Sequence, residues 1–211
     1  MENYTCLLSE IDANSLAQVG GKGANLGELV RANLPVPAAF CVNTEAYRQQ
    51  IESNSLLAPV LNELEGLDYD NPLEIESRAK KIREMIVAAE MPADIDEAIR
   101  KAYSQLESEL GENVEVSVRS SATLEDLPGA SFAGQQDTYL NIQGSDAVIS
   151  HVKQCWASLW TDRAISYRQR QGFAHEEVLL AVVVQEMFPS EVAGVMFTVN
   201  PVTSNPDEIF L

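Results

Sequence analysis

Four short segments carry residue types able to hold a polyphosphate. The first is Gly20-Gly21-Lys22-Gly23, just ahead of apolar residues at Leu26, Leu29 and Val30. Glycines let a backbone approach a ligand closely. A helix that starts there offers unpaired N–H groups and a positive dipole end, and Lys22 adds a mobile charge. The same residues also read as an ordinary glycine turn that begins a helix. The segment is not a Walker A loop, because Gly23 follows the lysine where Ser or Thr is required. It is not a dinucleotide fingerprint, because Gly21-x-Gly23-x-x is followed by Leu26. The second segment is Val118-Arg119-Ser120-Ser121-Ala122. An arginine at a strand end can grip phosphate oxygens in a bidentate way, and two hydroxyls follow it. A surface ion pair is the plainer reading in so acidic a chain. The third, residues 128–136 (PGASFAGQQ), is small and Gly-containing, fit either to fold over a triphosphate or to serve as a hairpin loop. The fourth, Gln185-Glu186-Met187, ends an apolar run. There a strand can offer backbone groups to an adenine edge with Met187 packed on the ring, or simply end.

Composition makes the cations informative. The 211 residues contain 32 acidic and 14 basic side chains, a net charge of −18. Such a field repels nucleic acid and anionic membranes, so neither is an expected partner. An anionic ligand would need the few Lys and Arg gathered locally. Cys6, Cys41 and Cys155 are odd in number and far apart, which suggests neither a disulfide framework nor a zinc site. Reduced thiols in a cytoplasmic protein are expected. No signal peptide and no run of membrane-spanning length is evident.

These segments need elements to position them. Helix is expected over 22–32, from Thr44 as cap through Ile51, over 74–89 and over 92–110, the last with Pro92 near its start and Gly111 past its end. A short strand is expected over 38–42. Val114, Val116 and Val118 alternate with polar residues and predict a strand ending at Arg119. Further strands are expected over 138–142 and 178–187, with apolar runs at 192–199 and from 208, and one long helix over 146–171, bent before Ile165. The best internal boundary is 111–114. It separates a helix-rich part, 1–111, from a mixed α/β part, 112–211, that carries the phosphate loop and the adenine strand. The chain stops inside an apolar run at Ile209-Phe210-Leu211, so the second part is expected to be incomplete.

Taken together, VGGKGANLGEL, VPAAFCVNTEAY, VSVRSSATLEDLPGASFAGQQDTYLNI, WASLWTDRAISYR and VVVQEMFPSEVAGVMFTVNP resemble the N-terminal nucleotide-binding domain of the phosphoenolpyruvate synthase (pyruvate, water dikinase) family. That group includes pyruvate phosphate dikinase and the rifampicin phosphotransferases. The resemblance implies an α+β fold of ATP-grasp type, truncated here at its C-terminal side. It implies a phosphotransferase that passes the β-phosphoryl of ATP to a histidine on a swivelling domain and from there to pyruvate, giving phosphoenolpyruvate, AMP and phosphate. A rifampicin-type antibiotic is the alternative acceptor, and a stand-alone ATP-binding module without catalysis is the alternative role. By the same resemblance Lys22 and Arg119 are the catalytic, phosphate-binding cations. Gly134, Gln135, Gln136 and Thr138 match the loop over the triphosphate, and Gln185, Glu186 and Met187 the adenine strand. The implied Mg²⁺ ligands, the phosphohistidine and the acceptor domain lie beyond Leu211. His151 and His175 match no motif and are read as structural or solvated. The isolated chain is expected to bind ATP weakly and not to turn it over.

Overall fold

The longest apolar run becomes the centre of the molecule. In the computed structural model, which describes residues 3–123 and 137–210, five strands form one antiparallel sheet. They are β1 (Thr5–Leu7), β2 (Ala39–Val42), β3 (Val116–Ala122), β4 (Thr138–Ile142) and β5 (Leu180–Glu186), in the spatial order β1-β2-β5-β3-β4. β5 reads as a continuous apolar run because it is covered on both faces. It pairs with β2 through Cys41↔Val183 and with β3 through Arg119↔Val183. The first and second halves of the chain therefore share a single sheet.

Alternation along the strands sorts side chains between two layers. Phe40, Val42, Val116, Val118, Val182 and Val184 face a core built with helices α2 (Thr44–Ser53), α3 (Leu57–Leu64), α4 (Pro72–Ala88), α5 (Ala93–Leu110) and α6 (Ser145–Ser158). Ala39, Cys41 and Val183 face the other way, onto Val19 and Ala24 of helix α1 (Leu16–Arg31). Fully buried Ile82, Ile86, Ile95, Ile99 and Trp156 fill the larger core. Each Ile or Trp contributes about 2–3 kcal/mol by leaving water. Among the described residues, one face of the sheet thus lies against the larger, many-helix core, and α1 packs against the other.

Most expected elements are present, with instructive differences. The long helix predicted over 146–171 is two helices, α6 and α7 (Asp162–Gln171). Thr161 ends the run by accepting the Ala164 N–H, an N-cap that starts a new helix in a new direction. The cap of α2 is Asn43, whose side chain accepts from Ala46, and not Thr44, whose hydroxyl donates to Ala17 O. β1 and α3 were not anticipated, being too short for a periodic signal. The apolar run 192–199 is not a strand. Phe197 and Phe210 form a single antiparallel bridge, and most of the side chains there are exposed. Among the described residues no helix is long and apolar enough to cross a membrane.

Both histidines sit in packed surroundings. His151 donates from Nδ1 to Ala147 O at 2.7 Å, and its ring packs on Tyr139. His175 accepts at Nδ1 from Arg168 Nε at 3.0 Å, and its Nε2 lies 3.3 Å from the Tyr69 hydroxyl. Arg168 is fully buried, stacks on Trp160 and donates to Leu159 O at 2.6 Å. Burial holds its pKa down to about 10. This cluster fastens α7 to the segment that leads into β5.

Candidate functional site

Antiparallel register decides which candidate residues share a surface. Arg119 pairs with Thr138 on one side and with Val183 on the other. Directly paired residues project to the same face, and Val183 packs against α1. Arg119 and Thr138 therefore project to the α1 side, as do Ser117 and Ser121, two residues either side of Arg119, and Gln185, two residues beyond Val183. The half-buried Arg119 guanidinium donates from Nη1 to Gln185 Oε1 at 3.4 Å. Gln185, almost fully buried, donates onward from Nε2 to Pro37 O at 3.2 Å, and its carbonyl accepts the Ser117 hydroxyl.

Lys22 arrives at this face on α1. The helix is broken at Gly20, whose φ of 68° and ψ of 176° lie outside helical space, and it begins again at Gly21. The glycine segment is thus a helix start inside a longer helix, with Lys22 in the first turn. Burial, and then the Asp137 carboxylate, push the Cys155 thiol pKa up, with the Lys22 charge opposing. The turn lies against β3: a Cβ on Gly20 would meet the Ser121 backbone and the Gly23 N–H donates to Ser121 Oγ, so Lys22 sits between two residues in contact with the strand that carries Arg119. Gly134, Gln135 and Gln136 lie outside the described residues, between Thr123 and Asp137.

Two expectations need correction. The hydroxyls of Ser120 and Ser121 are not presented to a ligand. Ser120 Oγ donates to Asp137 O, and the buried Ser121 Oγ donates to Val19 O while accepting the Gly23 N–H. Nor are the N–H groups of Glu186 and Met187 open to an adenine edge. They donate to Ala38 O and Glu115 O at 2.9 Å each, because β5 is a central strand with a neighbour on both sides. The Glu186 carboxylate also accepts the Ala38 N–H at 3.3 Å.

Residues 16–211 match the family model described as the pyruvate phosphate dikinase AMP/ATP-binding domain. The chain belongs to that family. It is 51% identical over 209 residues to a probable phosphoenolpyruvate synthase of Methanocaldococcus jannaschii, across 99% of this chain and 18% of the relative. It is 45% identical over 235 residues to the phosphoenolpyruvate synthase of Pyrococcus furiosus, across 96% of this chain and 29% of the relative. The rifampicin phosphotransferase of Bacillus subtilis is 47% identical over 206 residues, across 97% of this chain and 23% of the relative. The chain thus spans less than a third of each relative's length.

On the α1 side of the sheet, Arg119 is carried by a strand and Lys22 by a helix start that packs against that strand. What sequence reasoning missed is the wiring beneath that face. Gln185 holds Arg119, and Ser121 holds the glycine turn. One signal for the second was legible: Gly20, at the cap position of the renewed helix, has no side chain to cap with, and Val19 before it is apolar. Among the described residues no three His, Cys, Asp or Glu side chains come together as a metal-ligand group.

Proposed function

We propose that this chain is the ATP-grasp-type nucleotide-binding domain of a dikinase that moves the β-phosphoryl of ATP to a histidine on another domain, and thence to pyruvate. The observation that carries this reading is the convergence of Arg119, Thr138 and Gln185 on the sheet face crossed by α1, which bears Lys22. Membership of the AMP/ATP-binding family supplies the ligand class.

In this reading Lys22 and Arg119 bind the phosphate chain and neutralise charge as the bond between the α- and β-phosphates breaks. Charge compensation is the main work of a protein in phosphoryl transfer. The β-phosphoryl goes to the histidine nitrogen, the γ-phosphoryl leaves on water as inorganic phosphate, and AMP departs. Thr138, with Gly134, Gln135 and Gln136, binds the triphosphate, Glu186 and Met187 bind the adenine through groups other than their N–H, and Gln185 acts through Arg119. The described residues fit an anion better than a divalent cation, since two cations and no carboxylate cluster occupy the face. The family resemblance, and not the described residues, places the Mg²⁺ carboxylates and the phosphohistidine beyond Leu211. The rifampicin phosphotransferase among the relatives favours an antibiotic as the second candidate acceptor.

The test is an assay of AMP release by a protein carrying this chain with the remaining domains, first with pyruvate and then with rifampicin. Pyruvate-dependent AMP release is expected. AMP release with rifampicin alone would transfer the assignment to the antibiotic.

A further inference from the structure

We propose that Ser121 is a positioning residue for the phosphate-binding turn: from strand β3 it caps, at long range, the helical start that carries Lys22. This rests on the reading of Lys22 as a phosphate ligand.

A helix start leaves N–H groups without intrahelical partners, and an adjacent Ser, Thr, Asp or Asn normally accepts one from the second or third residue. After the break in α1 the cap position falls to Gly20, which has no side chain. The Ser121 hydroxyl fills that role from 98 residues away, accepting the Gly23 N–H at 3.2 Å, the third residue of the renewed helix. The same oxygen donates to Val19 O at 2.7 Å, the last carbonyl before the break. One buried side chain therefore joins both sides of the break.

Close approach makes the arrangement specific. A Cβ on Gly20 would lie 2.2 Å from Ser121 O and 2.5 Å from its Oγ. The turn rests directly on the strand backbone, with no room for another side chain to substitute. Gly20, Gly21 and Gly23 give the turn large conformational freedom, which must be removed before Lys22 is useful. Ser121 removes it in advance, so less of the ordering cost falls on ligand binding. Ser121 is also two residues from Arg119 on the same strand and face. The hydroxyl thus ties the turn that carries Lys22 to the strand that carries Arg119.

The experiment uses the 211-residue chain in three forms: native, Ser121→Ala, and the near-isosteric Ser121→Cys in case the alanine variant does not fold. Each is made with Lys22 and with Lys22→Ala. NMR reads amide exchange of residues 21–24 and follows an ATP titration. With Lys22 present, loss of the cap is expected to speed exchange at Gly23 by about fivefold and to raise the ATP Kd by a similar factor. In the Lys22→Ala background the ATP Kd is expected not to change further. Unchanged exchange at residues 21–24, or an equal ATP effect in both backgrounds, overturns the positioning role alone. If Lys22→Ala leaves ATP binding intact, the functional reading falls and the positioning role with it.

Discussion

The Arg119 guanidinium donates to the Gln185 side-chain carbonyl at 3.4 Å, from one strand to its neighbour. Gln185 is itself held by Pro37 O, so the contact anchors a mobile cation to the β2–β5 side of the sheet. Gln185→Leu keeps the volume and deletes the acceptor. The ATP Kd should rise about threefold to fivefold, whereas Arg119→Ala should raise it tenfold or more by losing a charge-assisted contact. The double variant should match Arg119→Ala. Additive losses, measured by NMR titration, would mean that Gln185 acts on the nucleotide by itself and not through Arg119.

Lys22 is half-buried in the first turn of the renewed helix, outside the main hydrophobic core. In a longer protein able to make AMP, Lys22→Ala should abolish AMP formation. Because no core side chain is removed, its Tm should stay within about 2 °C of the native value. Turnover at the native rate in a folded Lys22→Ala protein would remove the central site assignment.

Gly20 combines a φ of 68° with a Cβ position 2.2 Å from a backbone oxygen of β3. Neither strain can be relieved by moving a flexible side chain. Gly20→Ala should therefore cost about 3 kcal/mol or more in urea denaturation. Gly172→Ala is a useful contrast, since Gly172 also has a positive φ but no heavy atom within 4 Å of a Cβ there. Its cost should be near 1 kcal/mol. Equal effects would show that the close approach to Ser121 contributes little.

His175 should make stability depend on pH. Burial, and then the Arg168 guanidinium at its Nδ1, push its pKa down to about 4 from an ordinary 6.5, with Glu176 opposing. The unfolded chain therefore binds the proton more readily than the folded one. The contribution is complete above pH 6.5 and is lost as pH falls from 6.5 towards 4. Its size is on the order of 1–2 kcal/mol once solvent screening of this half-buried ring is allowed for. Carboxylates titrate in part of the same window, so the measurement is the difference between native and His175→Gln melts at pH 7.5 and pH 5. A shallower pH slope is expected for His175→Gln, and parallel slopes would refute the assignment.

On the proposed reading Lys22 and Arg119 supply the phosphate-binding charge of this chain and the Mg²⁺ carboxylates lie beyond Leu211, so the isolated chain should bind ATP weakly and without turnover. Calorimetry with and without Mg²⁺ checks this. Micromolar, Mg²⁺-dependent binding would mean that this chain itself holds the metal.

The sequence by itself determined the ligand class and most of the elements. Period-2 valines marked β3, apolar spacing marked α4 and α5, and Gly111 marked the end of α5, because local patterns follow strand and helix geometry. The paired features of a glycine helix start and a strand-borne arginine were legible as types, and the order of the motifs named the family. The tertiary structure alone decided what those residues do to one another. Ser120 and Ser121 look like phosphate donors in the sequence, yet their hydroxyls hold Asp137 O and the α1 break. The Glu186 and Met187 N–H groups look available until β5 is found between two strands. The Thr161 cap splits a helix that periodicity reads as continuous. The reason is the same in each case. A hydrogen bond between residues 98 or 102 positions apart, such as Gly23 or Val19 with Ser121, leaves no periodic trace in either segment, because only the sheet register brings its two ends together.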